Sequence, residues 1–527
     1  MLLRSRVTPR DAMPALQGAL PLAFPSELLI VAGIALATIA LHFVADGRYG
    51  YQRDELYYLV CGRRLAWGYV DQPPLIAFIA RATELTLGNS LYALRFLPSL
   101  AAAGLALCGA GIVRMLGGGR FAQAAAMMAI ALAPFDLAVG SLMTMNAFEP
   151  LFWTGAAVLT MVALRSDRPP SWVWPALGLT VGMGLLNKYS MGAWAISLAA
   201  GVAISRSRAL FVRPGFLVLA ALATALVLPT LFWQYAHQWP QIALLQNAHA
   251  QKNAVVSPVQ YVLAQVLMMN PLAAPLWIAG LVWFLAGRGA ERYRAIGYAY
   301  LVLLVLYLAV GAKVYYLAPV YAIFMAAGAV VIERFLHSRR AWRPVYLGAL
   351  IAVGLVIAPQ ATPLLPLDAF LAYQRAFDLR SVKMERHATG AVPQNFADMF
   401  GWEKLVSTLA ADADALTPAE RKHAAIITGN YGQAAALEVL GSARRLPPVL
   451  SGHTNYWIWG THGVRADVAL AVGVPLATLH TAYRRVERVD MYRDRWVLPD
   501  QNELAVYKCS DPVVPLPAAW PAFRAYI

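Results

Sequence analysis

The chain has 527 residues, of which 59% are hydrophobic and 13% are charged, and its mean hydropathy is +0.54. This composition excludes an ordinary soluble domain and predicts a polytopic membrane protein. The net charge of +15 does not indicate a nucleic-acid partner, because the arginines fall in short clusters between apolar runs, as in the cytoplasmic loops of membrane proteins. The cysteines are too few and too far apart for a disulfide framework or a cysteine metal site, and leave room for one bridge at most: Cys61, Cys108 and Cys509.

Eleven segments of the chain are apolar over about the 20 residues that a membrane-spanning helix needs. They lie near residues 27–45, 91–113, 121–141, 147–164, 172–187, 189–205, 214–233, 261–286, 295–311, 314–333 and 344–362. The N-terminal sequence MLLRSRVTPR precedes the first of them, and no small-residue cleavage pattern follows that apolar run. We therefore expect a retained signal anchor rather than a removed signal peptide.

Basic residues alternate with weakly charged loops along these segments. If the N-terminus is cytoplasmic, every inside segment is basic, in agreement with the positive-inside rule, and the short outside segments carry isolated lysines: Lys188, Lys252 and Lys313. The inside clusters are Arg4, Arg6 and Arg10; Arg114 and Arg120; Arg165 and Arg168; Arg206, Arg208 and Arg213; Arg288, Arg292 and Arg294; and Arg334, Arg339, Arg340 and Arg343. The alternation predicts a cytoplasmic N-terminus and a C-terminus on the opposite side.

The composition changes near residue 365, where hydrophilic and mixed sequence begins and continues to residue 527. We therefore predict a transmembrane domain over residues 1–364 and a soluble α/β domain over residues 365–527, outside the cytoplasm. In the second domain, residues 424–428 and 504–507 have the composition of short strands. A turn followed by a helix is predicted around Gln433, in GNYGQAAALEVLG.

Within the first outer loop, residues 46–90, the stretch 47–75 is a polar island between apolar segments. Charged groups near membrane depth usually face a cavity or one another. Arg53, Asp54 and Glu55 open this loop, and a carboxylate there can act as a general base or hold the polar groups of an acceptor; a solvated loop with arginine–carboxylate pairs is the alternative. Asp71 precedes Gln-Pro-Pro, and because the prolines fix the backbone, a role in shaping the loop fits this residue at least as well as chemistry.

Further polar residues lie at the outer ends of later helices. Asn146 and Glu149 are three residues apart and share one helical face, so that they can line a cavity with the first outer loop; the alternative is a helix start with Asn146 as the N-cap. Lys188 and Lys313 lie on short outer turns, where a lysine can pair with an anionic phosphate or simply snorkel. Two tyrosines follow the second lysine: Tyr315 and Tyr316.

Two stretches of the predicted C-terminal domain, residues 430–433 and 451–457, are dense in aromatic and hydrogen-bonding side chains. Tyr431, His453 and Asn455 in these stretches suit recognition of a sugar or a lipid headgroup, whereas for any single residue an ordinary domain core is the simpler interpretation. The chain has no Walker loop, Rossmann glycine fingerprint, nucleophile elbow or HExxH motif. Phosphoryl transfer from a cytoplasmic nucleotide is therefore unsupported.

Four segments resemble the GT-C membrane glycosyltransferases, and more closely glycosyltransferase family 39, which contains protein O-mannosyltransferases and the bacterial aminoarabinose transferases of lipid A. They are RDELYYLVCGRRLAWGYVDQPPL, FEPLFWTGAAVLT, GLLNKYSM and KVYYLAPVYA. The likeness covers about the first 360 residues and is strongest in the first outer loop. Two tail segments are similar to those of uncharacterised bacterial members: GNYGQAAALEVLG and SGHTNYWIWG.

The resemblance implies a helical GT-C protein of the bacterial inner membrane, with about eleven transmembrane helices and a C-terminal extracytoplasmic α/β domain. It implies an inverting transferase that moves a sugar from a polyprenyl-phosphate donor to a lipid, glycan or protein acceptor at the outer face, without a metal or a cofactor. The family's acidic residue of the first loop falls on Asp54, with Glu55 beside it, as general base or acceptor-orienting carboxylate.

The resemblance also suggests which residues bind the substrates. Lys313 and Lys188, with Arg63 or Arg64, are the candidates for the donor phosphate. The other binding candidates are Arg53, Asp71, Asn146, Glu149, Tyr315, Tyr316, Tyr431, His453 and Asn455. Many family members have an aspartate where this chain has Asn146, so that either Glu149 substitutes for it or the second acidic role is absent, and the acceptor class stays open.

A second hypothesis is a transporter or flippase of a lipid or small polar solute, since buried charges also mark transport paths. The long outer loop, the large outer domain and the lack of a visible inverted repeat or paired broken helices in the sequence favour the transferase. A third hypothesis is an envelope scaffold whose active site has decayed. The intact acidic pair, Asp54 and Glu55, argues against it. The sugar, the acceptor and the oligomeric state stay open.

Overall fold

The computed structural model of the chain describes residues 25–251, 256–378, 388 and 390–526. The basic N-terminal tail with Arg4, Arg6 and Arg10 lies outside the described residues, as does the predicted outer Lys252. The helices of the membrane part are α1 (Pro25–Asp46), α2 (Arg53–Arg63), α3 (Leu75–Thr86), α4 (Leu91–Met115), α5 (Arg120–Ala131), α6 (Pro134–Gly140), α7 (Met145–Arg165), α8 (Val173–Asn187), α9 (Ser190–Ile204), α10 (Pro214–Ala236), α11 (Pro240–Gln251), α12 (Pro258–Met268), α13 (Ala274–Ala286), α14 (Arg294–Ala309), α15 (Tyr321–Phe335) and α16 (Trp342–Ala361).

Seven helices of the described residues have the length and apolarity to cross a membrane, or nine if each of two bent pairs is one span. Every one of the eleven predicted segments is helical, and the prediction of a multi-pass helical membrane protein is confirmed, whereas the count of eleven crossings is not. The difference lies partly in α8 and α9, which have 15 residues each. At 1.5 Å per residue such a helix is about 22 Å long, shorter than the hydrocarbon core of a bilayer, about 30 Å.

The two bent pairs are α5 with α6, which meet at 63°, and α12 with the helical segment Pro271–Ala286, which meet at 98°. Both breaks fall at a proline, Pro134 and Pro271, which has no backbone N–H to donate to the preceding turn. Asn270, just before the second break, has φ of 63°. The sequence predicts one span over each of these segments, and in the structure each segment is a pair of helices that meet at a sharp bend.

The C-terminal α/β domain is built on one five-stranded sheet. Its strands are β1 (Ala424–Thr428), β2 (Val449–Ser451), β3 (Val468–Val472), β4 (Tyr483–Tyr492) and β5 (Leu504–Pro512). Its helices are α17 (Leu367–Ala376), α18 (Gln394–Ala397), α19 (Trp402–Asp414), α20 (Pro418–Lys422), α21 (Tyr431–Leu440), α22 (Asn455–Trp459), α23 (Leu476–Ala482) and α24 (Leu516–Ala519). The strand order is β2-β1-β3-β5-β4; the first three strands are parallel, and β5 runs antiparallel to both of its neighbours. The strands predicted at 424–428 and 504–507 and the helix predicted around Gln433 are all present.

The sheet domain docks on the first outer loop through α21, the helix that directly follows β1. Three consecutive small residues of α21, Ala434, Ala435 and Ala436, are fully buried in one apolar cluster with Tyr57 and Tyr58 of α2. Small side chains let two helices approach closely, so that the tyrosines fill the space between them. The docking places the start of α21 against the start of α2, where the candidate active site lies.

Candidate active site

Asp54 and Glu55 occupy the first turn of α2 but have opposite environments. Glu55 is fully buried, and Arg95 of α4 donates to both of its carboxylate oxygens, from Nε to Oε1 (2.9 Å) and from Nη2 to Oε2 (2.8 Å). Its remaining lone pairs accept from the backbone N–H groups of Gln52 (2.9 Å) and Met143 (3.0 Å). A carboxylate so occupied has no access to a substrate, which speaks against the catalytic role predicted for Glu55 beside Asp54.

The Asp54 side chain is 31% exposed at the surface between the first outer loop and the sheet domain. Its Oδ1 accepts a hydrogen bond from the Tyr431 hydroxyl (2.7 Å) and lies 3.8 Å from Arg53 Nε. Arg53 also lies 3.5 Å from Asp398, and its guanidinium is 5.5 Å from the centre of the Tyr431 ring. Burial raises the pKa of Tyr431 well above its usual range, and the Asp54 carboxylate adds to the rise against the opposing charge of Arg53. The phenol therefore stays protonated and donates to Asp54 at neutral pH.

Asp71 lies beside this pair. Its Oδ1 accepts from the Tyr57 hydroxyl (3.1 Å), and the Tyr57 ring centre is 4.7 Å from that of Tyr431. Burial raises the pKa of Tyr57 well above its usual range, with Asp71 as the next contribution. Two adjacent tyrosines thus donate to two carboxylates of the first outer loop, Asp54 and Asp71.

His453 and Asn455 pack within the protein and do not form an open sugar platform. The His453 ring is stacked on Tyr431 at 5.0 Å with planes 7° apart, and its Nδ1 accepts from the Tyr431 backbone N–H (3.3 Å). Asn455 is buried and its Oδ1 accepts from the Val70 backbone N–H (2.5 Å). The simpler of the two interpretations, residues of a domain core and its interface, therefore fits their contacts.

Arg63 and Arg64 each pair with a carboxylate of the protein itself. Arg63 binds Glu84 through Nη2 (2.7 Å), and Arg64 Nη1 lies 2.9 Å from Glu438 Oε2 on α21. The Arg64 guanidinium is also 4.6 Å from the centre of the Trp459 ring. Both guanidinium groups thus have a carboxylate partner within the protein, and their predicted phosphate role remains a prediction.

A second polar group, here called the Lys188 cluster, consists of Asn146, Glu149, Lys188 and Ser190. Lys188 Nζ donates to Asn146 Oδ1 (2.8 Å) and Glu149 Oε2 (2.6 Å), and the Ser190 hydroxyl donates to Glu149 Oε1. Lys188 and Glu149 are buried, so that the lysine does not snorkel to water. The N-cap of α7 is Thr144, so Asn146 is not the predicted helix cap.

The KVYYLAP segment covers one side of the Lys188 cluster. Lys188 Nζ lies 4.7 Å from the ring centre of Tyr316 and 5.5 Å from that of Tyr315. Lys313 is half-buried at the start of the 3-10 helix Val314–Val320, and its carbonyl accepts from the Tyr261 hydroxyl (3.4 Å). The structure thus brings both lysine turns to one region.

The two polar groups are joined through Gln234 of α10. Its side-chain amide donates to the Tyr69 carbonyl in the first outer loop (2.9 Å) and to the hydroxyl of Tyr189, the neighbour of Lys188 (3.3 Å). Gln234 thus links the first outer loop to the turn that carries Lys188.

Comparison with known proteins agrees with this architecture. Residues 71–233 match the family model described as dolichyl-phosphate-mannose-protein mannosyltransferase. The lipid A galacturonosyltransferase RgtD of Rhizobium johnstonii is 29% identical over 222 residues, which is 40% of this chain and 44% of the relative. The chain therefore aligns with less than half the length of that curated relative.

The crystal structures of ArnT from Cupriavidus metallidurans, bound to undecaprenyl phosphate and in the apo state, superpose with TM-scores of 0.58 and 0.57. Each shares 12% sequence identity and covers 92% of this chain and 98% of ArnT. The chain has the GT-C fold. The predicted resemblance to GT-C membrane glycosyltransferases is confirmed.

In this GT-C structure, three residues that no prediction singles out fix the site. Arg95 anchors the first outer loop by also donating to the carbonyls of Asp46 (2.8 Å) and Gly50 (2.7 Å). A lone arginine within an apolar segment is the signal that could have identified it, because such a charge requires a buried partner. Glu438 and Ser190 carry no comparable signal in the sequence.

Among the described residues, no group of three or more His, Cys, Asp or Glu side chains is arranged to hold a metal ion. The three cysteines are free. A reaction without metal or cofactor remains a prediction.

Proposed function

We propose that the protein is an inverting glycosyltransferase that moves a sugar from a polyprenyl-phosphate donor to an envelope acceptor at the outer face of the bacterial inner membrane. The observation that carries this proposal is the environment of Asp54 in the first outer loop of a GT-C fold. This carboxylate is partly exposed, accepts a hydrogen bond from the Tyr431 hydroxyl and lies close to the Arg53 guanidinium. The family model and the curated relative both describe sugar transferases, which favours this function over transport.

In the proposed reaction an acceptor hydroxyl oxygen attacks the anomeric carbon of the donor. The bond between that carbon and the phosphate oxygen breaks, and polyprenyl phosphate leaves with the bonding electrons. The hydroxyl proton passes to Asp54, and because the attack is a single displacement from the opposite face, the anomeric configuration inverts. Holding the two substrates in line and stabilising the leaving phosphate are the main tasks left to the protein.

Lys313 and Lys188 are the proposed cations for the donor phosphate. Lys188 carries its positive charge into a buried position, where Coulomb interactions are stronger than in water, and Glu149 balances that charge in the absence of substrate. Glu149 accordingly takes the second acidic role of the family, in place of the aspartate that Asn146 replaces. The ArnT structure bound to undecaprenyl phosphate supports a lipid-phosphate donor for this fold.

The transmembrane domain over residues 1–364 holds the donor, and the domain over residues 365–527 lies outside the cytoplasm, beside the first outer loop. The acceptor is a lipid, glycan or protein of the envelope, and the lipid A transferase among the relatives favours a lipid. Lipids of the surrounding membrane are the remaining partner.

The test is transfer by membranes that contain the wild-type protein or Asp54→Asn. The donors are undecaprenyl-phosphate galacturonate and undecaprenyl-phosphate mannose, with labelled sugars, and the acceptor is an envelope lipid extract. We expect Asp54→Asn to melt like the wild type and to lose at least a thousandfold in rate, because the base in a displacement step contributes about that much. Asp467→Asn, at the sheet-domain surface beside Arg465, is the matched control and should keep wild-type activity.

Full transfer by Asp54→Asn would contradict the role of Asp54. Uptake of labelled sugar lipid into sealed vesicles with no transfer product would instead favour the transporter hypothesis.

A further inference from the structure

We infer that Tyr431 is a positioning residue for Asp54, so that the C-terminal α/β domain completes the active site of the membrane domain. The inference rests on the proposed function and adds a residue, 377 positions away in sequence, that sets the orientation of the base.

The two carboxylate oxygens of Asp54 differ in their contacts. The hydrogen bond from Tyr431 (2.7 Å) and the approach of Arg53 (3.8 Å) both involve Oδ1. Within the described residues, Oδ2 has no recorded hydrogen bond or ion pair, and the side chain is 31% exposed. A hydrogen bond to one carboxylate oxygen fixes the carboxylate plane, and so aims the other oxygen at one place, where it can receive a substrate proton.

Tyr431 is itself held on several sides. Its ring is stacked against His453 and packs against Tyr57, and its backbone N–H is bound by His453 Nδ1. Asn430 caps α21 by accepting from the Gln433 backbone N–H (3.0 Å), which fixes the first turn where Tyr431 stands. The next residue, Gly432, lies against Arg53, whose Cγ would be 2.4 Å from an added Cβ. A donor fixed in this way loses little conformational entropy when it binds the carboxylate.

The same interface is fastened at two further points. Arg64 and Glu438 form a two-point ion pair with distances of 2.9 and 3.2 Å, and Asn455 accepts from the Val70 backbone N–H. Both contacts hold the part of the first outer loop that follows Asp54, at Arg64 and Val70. The sheet domain is thus fixed against the loop at the position that delivers the Tyr431 hydroxyl.

The experiment measures transfer as a function of pH for the wild type, Tyr431→Phe and Tyr483→Phe. Tyr483 is the matched control, because its hydroxyl makes a buried hydrogen bond inside the sheet domain, to the Ala466 carbonyl (2.8 Å), away from Asp54. In Tyr431→Phe the ionised carboxylate loses a donor. We expect kcat to fall about tenfold to a hundredfold, as for a hydrogen bond to a charged group, the donor KM to change little, and the acidic arm of the profile to move to higher pH. Tyr483→Phe should keep the wild-type profile.

A second variant answers the case in which Tyr431→Phe fails to fold. Incorporation of 3-fluorotyrosine at position 431 keeps the ring and hydroxyl but makes a stronger donor, and should move the acidic arm to lower pH. Loss of transfer in Asp54→Asn, together with a wild-type kcat and pH profile in every position-431 variant that folds, would overturn the inference alone. Full activity of Asp54→Asn would overturn the proposed function instead.

Discussion

Successive residues of an α-helix point about 100° apart, so that Asp54 and Glu55 cannot face the same side of α2. Glu55 points into the protein, where it and Arg95 are both fully buried as an ion pair. Removing one partner of such a pair leaves an uncompensated buried charge and costs about 3 to 5 kcal/mol. We therefore expect Glu55→Gln to lower the free energy of unfolding by about that amount and Asp54→Asn to change it little, as measured by unfolding of the purified protein in detergent.

Arg95→Gln is the companion variant. It should be as destabilising as Glu55→Gln, since it removes the other partner of the same buried ion pair and leaves the Glu55 charge uncompensated. If Glu55→Gln unfolds at the wild-type temperature and is inactive, Glu55 takes part in the chemistry and its structural role is wrong.

Within the sheet domain, α19 packs on the edge strand β4 with a carboxylate in the contact. Burial raises the pKa of Asp412 to about 6, and Asp490 on β4 adds to the rise. The folded state therefore binds a proton more tightly than the unfolded state, which penalises folding above pH 6 and not below the unfolded pKa of about 4. Because the side chain is only partly buried, we expect Asp412→Asn to raise the free energy of unfolding by about 1 kcal/mol at pH 7.5. Near pH 4 we expect the substitution to leave the free energy of unfolding unchanged.

Thermal melting of the purified protein across this pH range measures the difference. Asp490→Asn removes only the neighbouring charge, and should give a smaller gain over the same range. A gain of Asp412→Asn that persists at pH 4 would mean that the side chain acts through packing rather than through its charge.

The sequence predicts where the helices lie much better than how they cross. Apolar composition locates all eleven helical segments, since helix formation in lipid depends on the segment alone. Apolar composition does not reveal the bends at Pro134 and Pro271, because neighbouring helices are needed to accommodate them. Nor does it reveal that α8 and α9 are short and that their junction at Lys188 is buried inside the protein.

For the whole molecule, composition indicates a polar site near the first outer loop but not its pairings. Asp54 and Lys188 are recognisable because charges in apolar surroundings are costly. Their partners depend on tertiary packing over long sequence separations, such as the 374 residues between Arg64 and Glu438. For the same reason, aromatic density around Tyr431 leaves sugar recognition and an ordinary domain core as alternatives, whereas the structure directs the Tyr431 hydroxyl to a carboxylate of the other domain.

The Arg64–Glu438 pair allows a direct test of whether the two domains act as one unit. Arg64→Glu and Glu438→Arg each place like charges across the interface, and we expect each to lower transfer about fivefold by weakening the docking that holds Tyr431 on Asp54. The double reversal recreates an opposite-charge pair and should recover most of the activity, though not all, because Arg64 also stacks on Trp459. If Arg64 instead binds the donor phosphate, as the family resemblance suggests, a second charge reversal on α21 cannot restore that contact. Recovery in the double variant therefore assigns Arg64 to docking, and an inactive double variant assigns it to the substrate.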